Sequence, residues 1–118
     1  MEKEQIFKKL RANLKNLNLD LAVLHNKEDN YYLNTKPTEI NAKATFFAAV
    51  QIKKSYVAYH LMPVYYHPEL VDSISPELRK KMQGKSCFNF KKIDDDLFEE
   101  LDGLTKSSFD KYKALKKV

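Results

Sequence analysis

A chain of 118 residues, 43% hydrophobic and 31% charged, has the balance of one folded domain spanning residues 1–118, not of a disordered or multidomain protein. The net charge is +5, but the lysines fall in scattered pairs (Lys8-Lys9, Lys53-Lys54, Lys80-Lys81, Lys91-Lys92, Lys116-Lys117), the pattern of solvated faces more than of one polyanion-binding block. No run approaches the roughly 20 apolar residues that cross a bilayer, MEKEQIFKKL lacks the apolar centre of a signal peptide, and the single cysteine, Cys87, excludes an intramolecular disulfide; a cytoplasmic protein with no membrane partner is expected.

From the N-terminus, Ile6, Leu10, Leu14 and Leu17 recur at helical spacing and predict a helix over Glu2 to Leu17, with Glu2 and Glu4 at its positive end. Leu19 to His25 reads as a strand, Lys27 to Asn30 as a turn and Tyr31 to Thr35 as the returning strand. Residues 36–43 read as loop. Ala44 to Ile52 and Ser55 to Met62 alternate as two strong strands joined at Lys53-Lys54, a hairpin pattern. Residues 64–74 are irregular. Ser75-Pro76 is a helix start, Ser as N-cap and Pro at the first helical position, with Gly84 as the stop after that helix. Ser86 to Lys91 reads as a last strand. Asp94 to Ala114 reads as the second long helix, its buried stripe Leu97, Leu101, Leu104, Phe109 and Tyr112. Gly103 weakens the middle of that helix and is expected to permit a close approach there. The order predicts an α+β two-layer sandwich, an antiparallel sheet of about five strands with the N- and C-terminal helices on one face.

Strand alternation then divides the sheet. With Phe46, Val50, Val57, Tyr59, Leu61, Phe88 and Phe90 facing the helices, Thr45, Phe47, Ala49, Gln51, Tyr56, Ala58, His60, Met62, Cys87, Asn89 and Lys91 face away. A mixed apolar and polar outer face suggests a ligand or partner surface, unless residues 63–74 fold over it as a second small core.

The remaining motifs reduce to simpler explanations. Gly84-Lys85-Ser86 resembles the end of a phosphate loop, but Arg79 stands where its first Gly belongs and a strand follows. The acids between Asp94 and Asp102 suit a capped helix start, so no metal ligands are assigned. The histidines His25, His60 and His67 have no zinc spacing. His60 with Cys87 lacks any nucleophile–base signature, and no catalytic residues or cofactor are assigned. Basic residues beside aromatic strands could bind single-stranded nucleic acid by stacking, but the glycine and aromatic pattern of an RNA-recognition motif is absent, so this is a minor alternative and nucleic acid is not the expected partner.

Tyr56-Val57-Ala58-Tyr59-His60-Leu61-Met62-Pro63-Val64-Tyr65, Ile74-Ser75-Pro76-Glu77-Leu78 and Gln83-Gly84-Lys85-Ser86-Cys87-Phe88-Asn89-Phe90 resemble one branch of the YdhG-like family of small bacterial proteins of unknown function. The resemblance covers roughly residues 20 to 113 and implies a frataxin-like α/β fold. Some relatives are labelled frataxin-like iron chaperones, a function that uses clustered carboxylates on the first helix and the adjoining strand. Here that helix offers Glu2 and Glu4 against Lys3, Lys8, Lys9, Arg11 and Lys15.

The function expected from the sequence is a non-enzymatic binding or adaptor domain. It would use the sheet face and loop 63–70 to hold a small anionic ligand or a protein partner, a homodimer included. Tyr56, His60, Tyr65, Lys85, Asn89 and Lys91 are the expected polar contacts, with Phe47 and Met62 as apolar ones. The alternative is an iron-binding chaperone.

Overall fold

The computed structural model describes residues 2–17, 20–38 and 43–118. Leu19 and the 39–42 part of the expected loop lie outside the described residues. The elements are α1 (Glu2–Lys15), β1 (Leu21–Lys27), β2 (Asn30–Thr35), β3 (Phe46–Ile52), β4 (Val57–Leu61), α2 (Met62–Tyr66), a 3-10 turn (Pro68–Val71), α3 (Pro76–Arg79), β5 (Met82–Gln83), β6 (Cys87–Phe90) and α4 (Asp95–Ala114). The architecture is α+β. Among the described residues the sheet has six antiparallel-paired strands in the order β1-β2-β3-β4-β6-β5. No described helix is long and apolar enough to cross a membrane.

The core forms where one sheet face meets α1 and α4. Cross-strand rows Tyr31–Val50–Tyr59–Phe88 and Leu33–Ala48–Leu61 lie buried against Ile6, Phe7, Leu10 and Leu14 of α1 and Leu97, Leu101 and Leu104 of α4. The helices are held to each other and to the sheet by polar contacts as well. Lys9 Nζ meets Asp95 Oδ1 at 3.0 Å, and Asn13 Nδ2 donates to the Phe98 carbonyl at 3.2 Å. Within the core, Thr105 donates its hydroxyl proton to the Leu101 carbonyl (2.8 Å). The Tyr59 hydroxyl, 2.7 Å from Thr105 Oγ1, is therefore the donor in that pair.

The expected caps are present. Asp94 Oδ1 accepts from Leu97 N at 3.2 Å, and Ser75 Oγ accepts from Leu78 N at 3.1 Å. Ser75 is also clamped by Glu100 of α4, whose carboxylate accepts from Ser75 N (2.7 Å) and Ser75 Oγ (2.6 Å). One acid of the 94–102 run thus docks α3 onto α4.

Four expectations are corrected. The sheet has a sixth strand, because α3 ends at Arg79 and Met82–Gln83 pairs with β6; Gly84, with φ +76°, serves the β5–β6 turn and not a helix end. Met62 opens α2 and does not extend β4. Residues 63–74 do not fold over the outer sheet face: α2, the 3-10 turn and α3 pack against α4, and Val64, Val71 and Leu78 join the main core. Gly103 is exposed and makes no close approach, since a Cβ there would meet nothing within 4 Å. Gly103→Ala should therefore raise unfolding stability by about 0.5–1 kcal/mol, read as a higher urea midpoint at unchanged m value.

The fifth correction bears on the site. In β3, Phe46 pairs with Asn34 while Ala48 pairs with Leu33, so two β3 residues are passed for one step of β2. Phe47 is the extra residue of a bulge. Beyond it the strand's facing reverses. Phe47, expected outside, is fully buried with its ring 5.6 Å from Tyr112 and 6.1 Å from Phe109. Phe46, expected inside, lies on the outer face.

Candidate functional site

The outer face of the sheet is built by alternation plus two bulges. From β4, Ala58 and His60 point outward because Val57, Tyr59 and Leu61 fill the core; from β6, Cys87 and Asn89 do so because Phe88 and Phe90 are buried. In β1 the register steps from Val23–Leu33 to His25–Tyr32, so Leu24 is passed over and His25 is set beside Tyr32. The β3 bulge adds Phe46. The result is one row of rings crossing four strands. His25 and Tyr32 meet edge to face at 5.6 Å, Tyr32 and Phe46 stack at 4.6 Å, and Phe46 and His60 lie 6.0 Å apart. Edge-to-face and offset contacts of this kind are each worth about 0.5–1.5 kcal/mol.

Small and amide side chains lie beside the rings. Ala49 stands between Tyr32 and His60 in the cross-strand ladder, and Ala58 between Gln51 and Asn89. Gln51 Nε2 donates to Asn30 Oδ1 at 3.2 Å. Further along the same face, Tyr56, Asn89, Lys91 and Lys92, with residues 80–83 of the segment entering β5, line a concavity of about 600 Å³. Lys80 and Lys81 lie in that segment, so four ammonium groups border it and no carboxylate does. Among the described residues none of the four pairs with a carboxylate.

The charges on the face have identifiable effects. Burial first, and then the Lys53 ammonium, hold the His60 imidazole below its ordinary value, so the ring is neutral at pH 7. Burial raises the Cys87 thiol, with Lys53 partly opposing it. That thiol donates to Asn89 Oδ1 at 3.2 Å. His60 and Cys87 are cross-strand partners, but a protonated thiol turned to an amide oxygen is not an activated nucleophile.

The six expected polar contacts divide into three places. Tyr56, Asn89 and Lys91 come together at the lysine-bordered concavity. His60 belongs to the ring row. Tyr65 and Lys85 meet apart from both, with Lys85 Nζ 5.7 Å from the Tyr65 ring centre, beside a second concavity of about 410 Å³ that also takes in Arg79 and Gly84. Met82 borders both concavities. Because α2 packs on α4, loop 63–70 and the outer sheet face are two places and not one. Met62 sits with Phe46 and Tyr66 at the end of the sheet. Phe47, buried under α4, is no part of any surface. Sequence reasoning missed His25, Tyr32, Phe46, Lys80 and Lys81. The Lys80-Lys81 and Lys91-Lys92 pairs were visible in the sequence, but only the β5–β6 pairing makes them neighbours.

No family model, curated protein or solved structure matches the chain.

Proposed function

We propose that this protein is a binding module that holds an anionic ligand on the outer face of its sheet, anchored at the concavity bordered by Lys80, Lys81, Lys91 and Lys92. The observation that carries this reading is four cationic groups around one depression with no acid among them, next to the Tyr56 hydroxyl and the Asn89 amide. Like charges gathered this way repel one another, and an anion between them relieves that repulsion. Tyr65 and Lys85 border a separate concavity across Met82 and are not part of this anchor. A second copy docked through the same face would set the two lysine margins against each other. No observation favours iron: among the described residues no group of three His, Cys, Asp or Glu side chains is placed to hold a metal.

The test is an amide chemical-shift titration with inorganic tripolyphosphate. Saturable shifts are expected at Tyr56, 80–83 and 89–92, weakening as salt rises. Lys81→Ala with Lys91→Ala should lower the affinity by roughly tenfold or more. Shifts spread evenly over every lysine, or confined to α1 and α4, would count against the site.

A further inference from the structure

A small anion would use the lysines and leave the neighbouring row of rings without a role. We propose that the outer sheet face binds single-stranded nucleic acid, with bases stacking along His25, Tyr32, Phe46 and His60 while the lysine margin meets the phosphates. This rests on the anion-binding reading and adds the bases to it.

Three features of the face favour this occupant. The first is the row itself. It crosses four strands, or three inter-strand steps of about 4.8 Å, so it is roughly 14 Å long. Open sheets that read single strands use aromatic side chains in this way to stack two or three bases. The second is the amide border: Asn30, Gln51 and Asn89 lie beside the rings with amide donors and acceptors suited to base edges.

The third is charge. Lys53 is close enough to act on both His60 and Cys87, Lys27 stands opposite Asn30, and Lys91 borders the concavity beside Asn89. Two acids occupy the turn at that end, Asp29 beside Lys27 and Lys53 and Glu28 beside Lys8 and Arg11 of α1. The dense run of carboxylates, Asp94 to Asp102, belongs to α4 on the opposite layer. A backbone crossing from the rings toward β5 therefore runs from stacking surface into the ammonium groups of the concavity. A duplex buries its base faces and would use only the lysines.

The experiment compares four fluorescein-labelled ligands by anisotropy with the full chain: a decamer of uridine, a decamer of thymidine, an abasic deoxyribose-phosphate decamer of the same charge, and a ten-base-pair duplex. Both base-bearing single strands should bind roughly tenfold or more tighter than the abasic strand. Phe46→Ala should remove most of that difference. Lys81→Ala with Lys91→Ala should weaken base-bearing and abasic strands alike. A preference for the uridine over the thymidine strand would point to RNA, and its reverse to DNA. Equal binding of base-bearing and abasic strands, or a duplex bound as tightly as a single strand, would overturn the inference and leave the anion reading standing. No binding of any strand, with tripolyphosphate shifts intact, overturns the inference alone; with those shifts also absent, both readings fall. The abasic comparison uses the unaltered protein, so it holds even if Phe46→Ala disturbs folding.

Discussion

Replacing Phe47 with alanine is expected to lower unfolding stability by about 3–5 kcal/mol, whereas replacing Phe46 should lower it by about 1–2 kcal/mol. The two residues are adjacent and chemically identical, so which of them costs more is decided by the bulge, which turns Phe47 inward and Phe46 outward. Phe47 is fully buried between β3 and α4, against Tyr112 and Phe109. Its removal leaves a cavity under a 20-residue helix that cannot collapse far without breaking its own packing. Phe46 is half-buried on the outer face, and its loss removes ring contacts with Tyr32 and His60 but opens no sealed cavity. Urea unfolding followed by circular dichroism separates the variants by their midpoints. Equal losses, or a larger loss for Phe46, would mean that β3 runs unbroken with Phe46 inward.

The second large effect concerns the buried hydroxyl pair. Thr105→Val should lower stability by about 1–3 kcal/mol, more than Tyr59→Phe, which should lower it by about 1 kcal/mol. The asymmetry follows from who donates. Tyr59→Phe removes a donor, and Thr105 keeps its own bond to the Leu101 carbonyl. Thr105→Val takes away the acceptor of the Tyr59 hydroxyl inside a core where that group is fully buried. The same tyrosine links stability to alkaline pH. Burial raises its phenol well above the ordinary range, partly offset by the Thr105 hydrogen bond. Burial, and then Tyr66, push Tyr112 up to about 12.

For such groups the folded pKa exceeds the unfolded value near 10. Their contribution is complete below about pH 10 and is lost as pH rises from there toward the folded pKa. Wild-type stability should therefore fall faster above pH 10 than that of Tyr59→Phe, by about 1.4 kcal/mol per pH unit. Parallel curves for the two proteins between pH 10 and 12 would show that Tyr59 ionises as freely in the folded chain as in the unfolded one.

Much of the frame was legible in the sequence, for physical reasons. Helical spacing of Ile6, Leu10 and Leu14 marks α1, and alternation marks β3, β4 and β6, because a buried face has to repeat with the period of its element. Asp94 and Ser75 are caps that act within three residues, so they can be read locally. The division of Val57 and Phe88 inward from Tyr56 and Cys87 outward also holds. What escaped depends on pairing. A bulge carries no residue signature in Thr45-Phe46-Phe47-Ala48, yet it exchanges the faces of two phenylalanines. A two-residue strand such as β5 has no period to detect, and Gly84 suits a hairpin turn as well as a helix end. The ring row needs the register of four strands at once, so His25, Tyr32 and Phe46 could not be joined to His60 by spacing. Tyr65 went astray because α2 turns toward α4 before the chain reaches it.

The kink at Leu24 has a consequence for how the chain behaves in crowded solution. β1 borders the sheet, with Val23 and Leu24 both well exposed, and a straight apolar border of that kind invites another molecule to add a strand and begin a fibre. The skipped register between Val23 and His25 breaks the row of free peptide groups into two short, misaligned pieces. The opposite border, β5, is only two residues long. Among the described residues, each border of the sheet is thus shortened, one by a bulge and the other by its length.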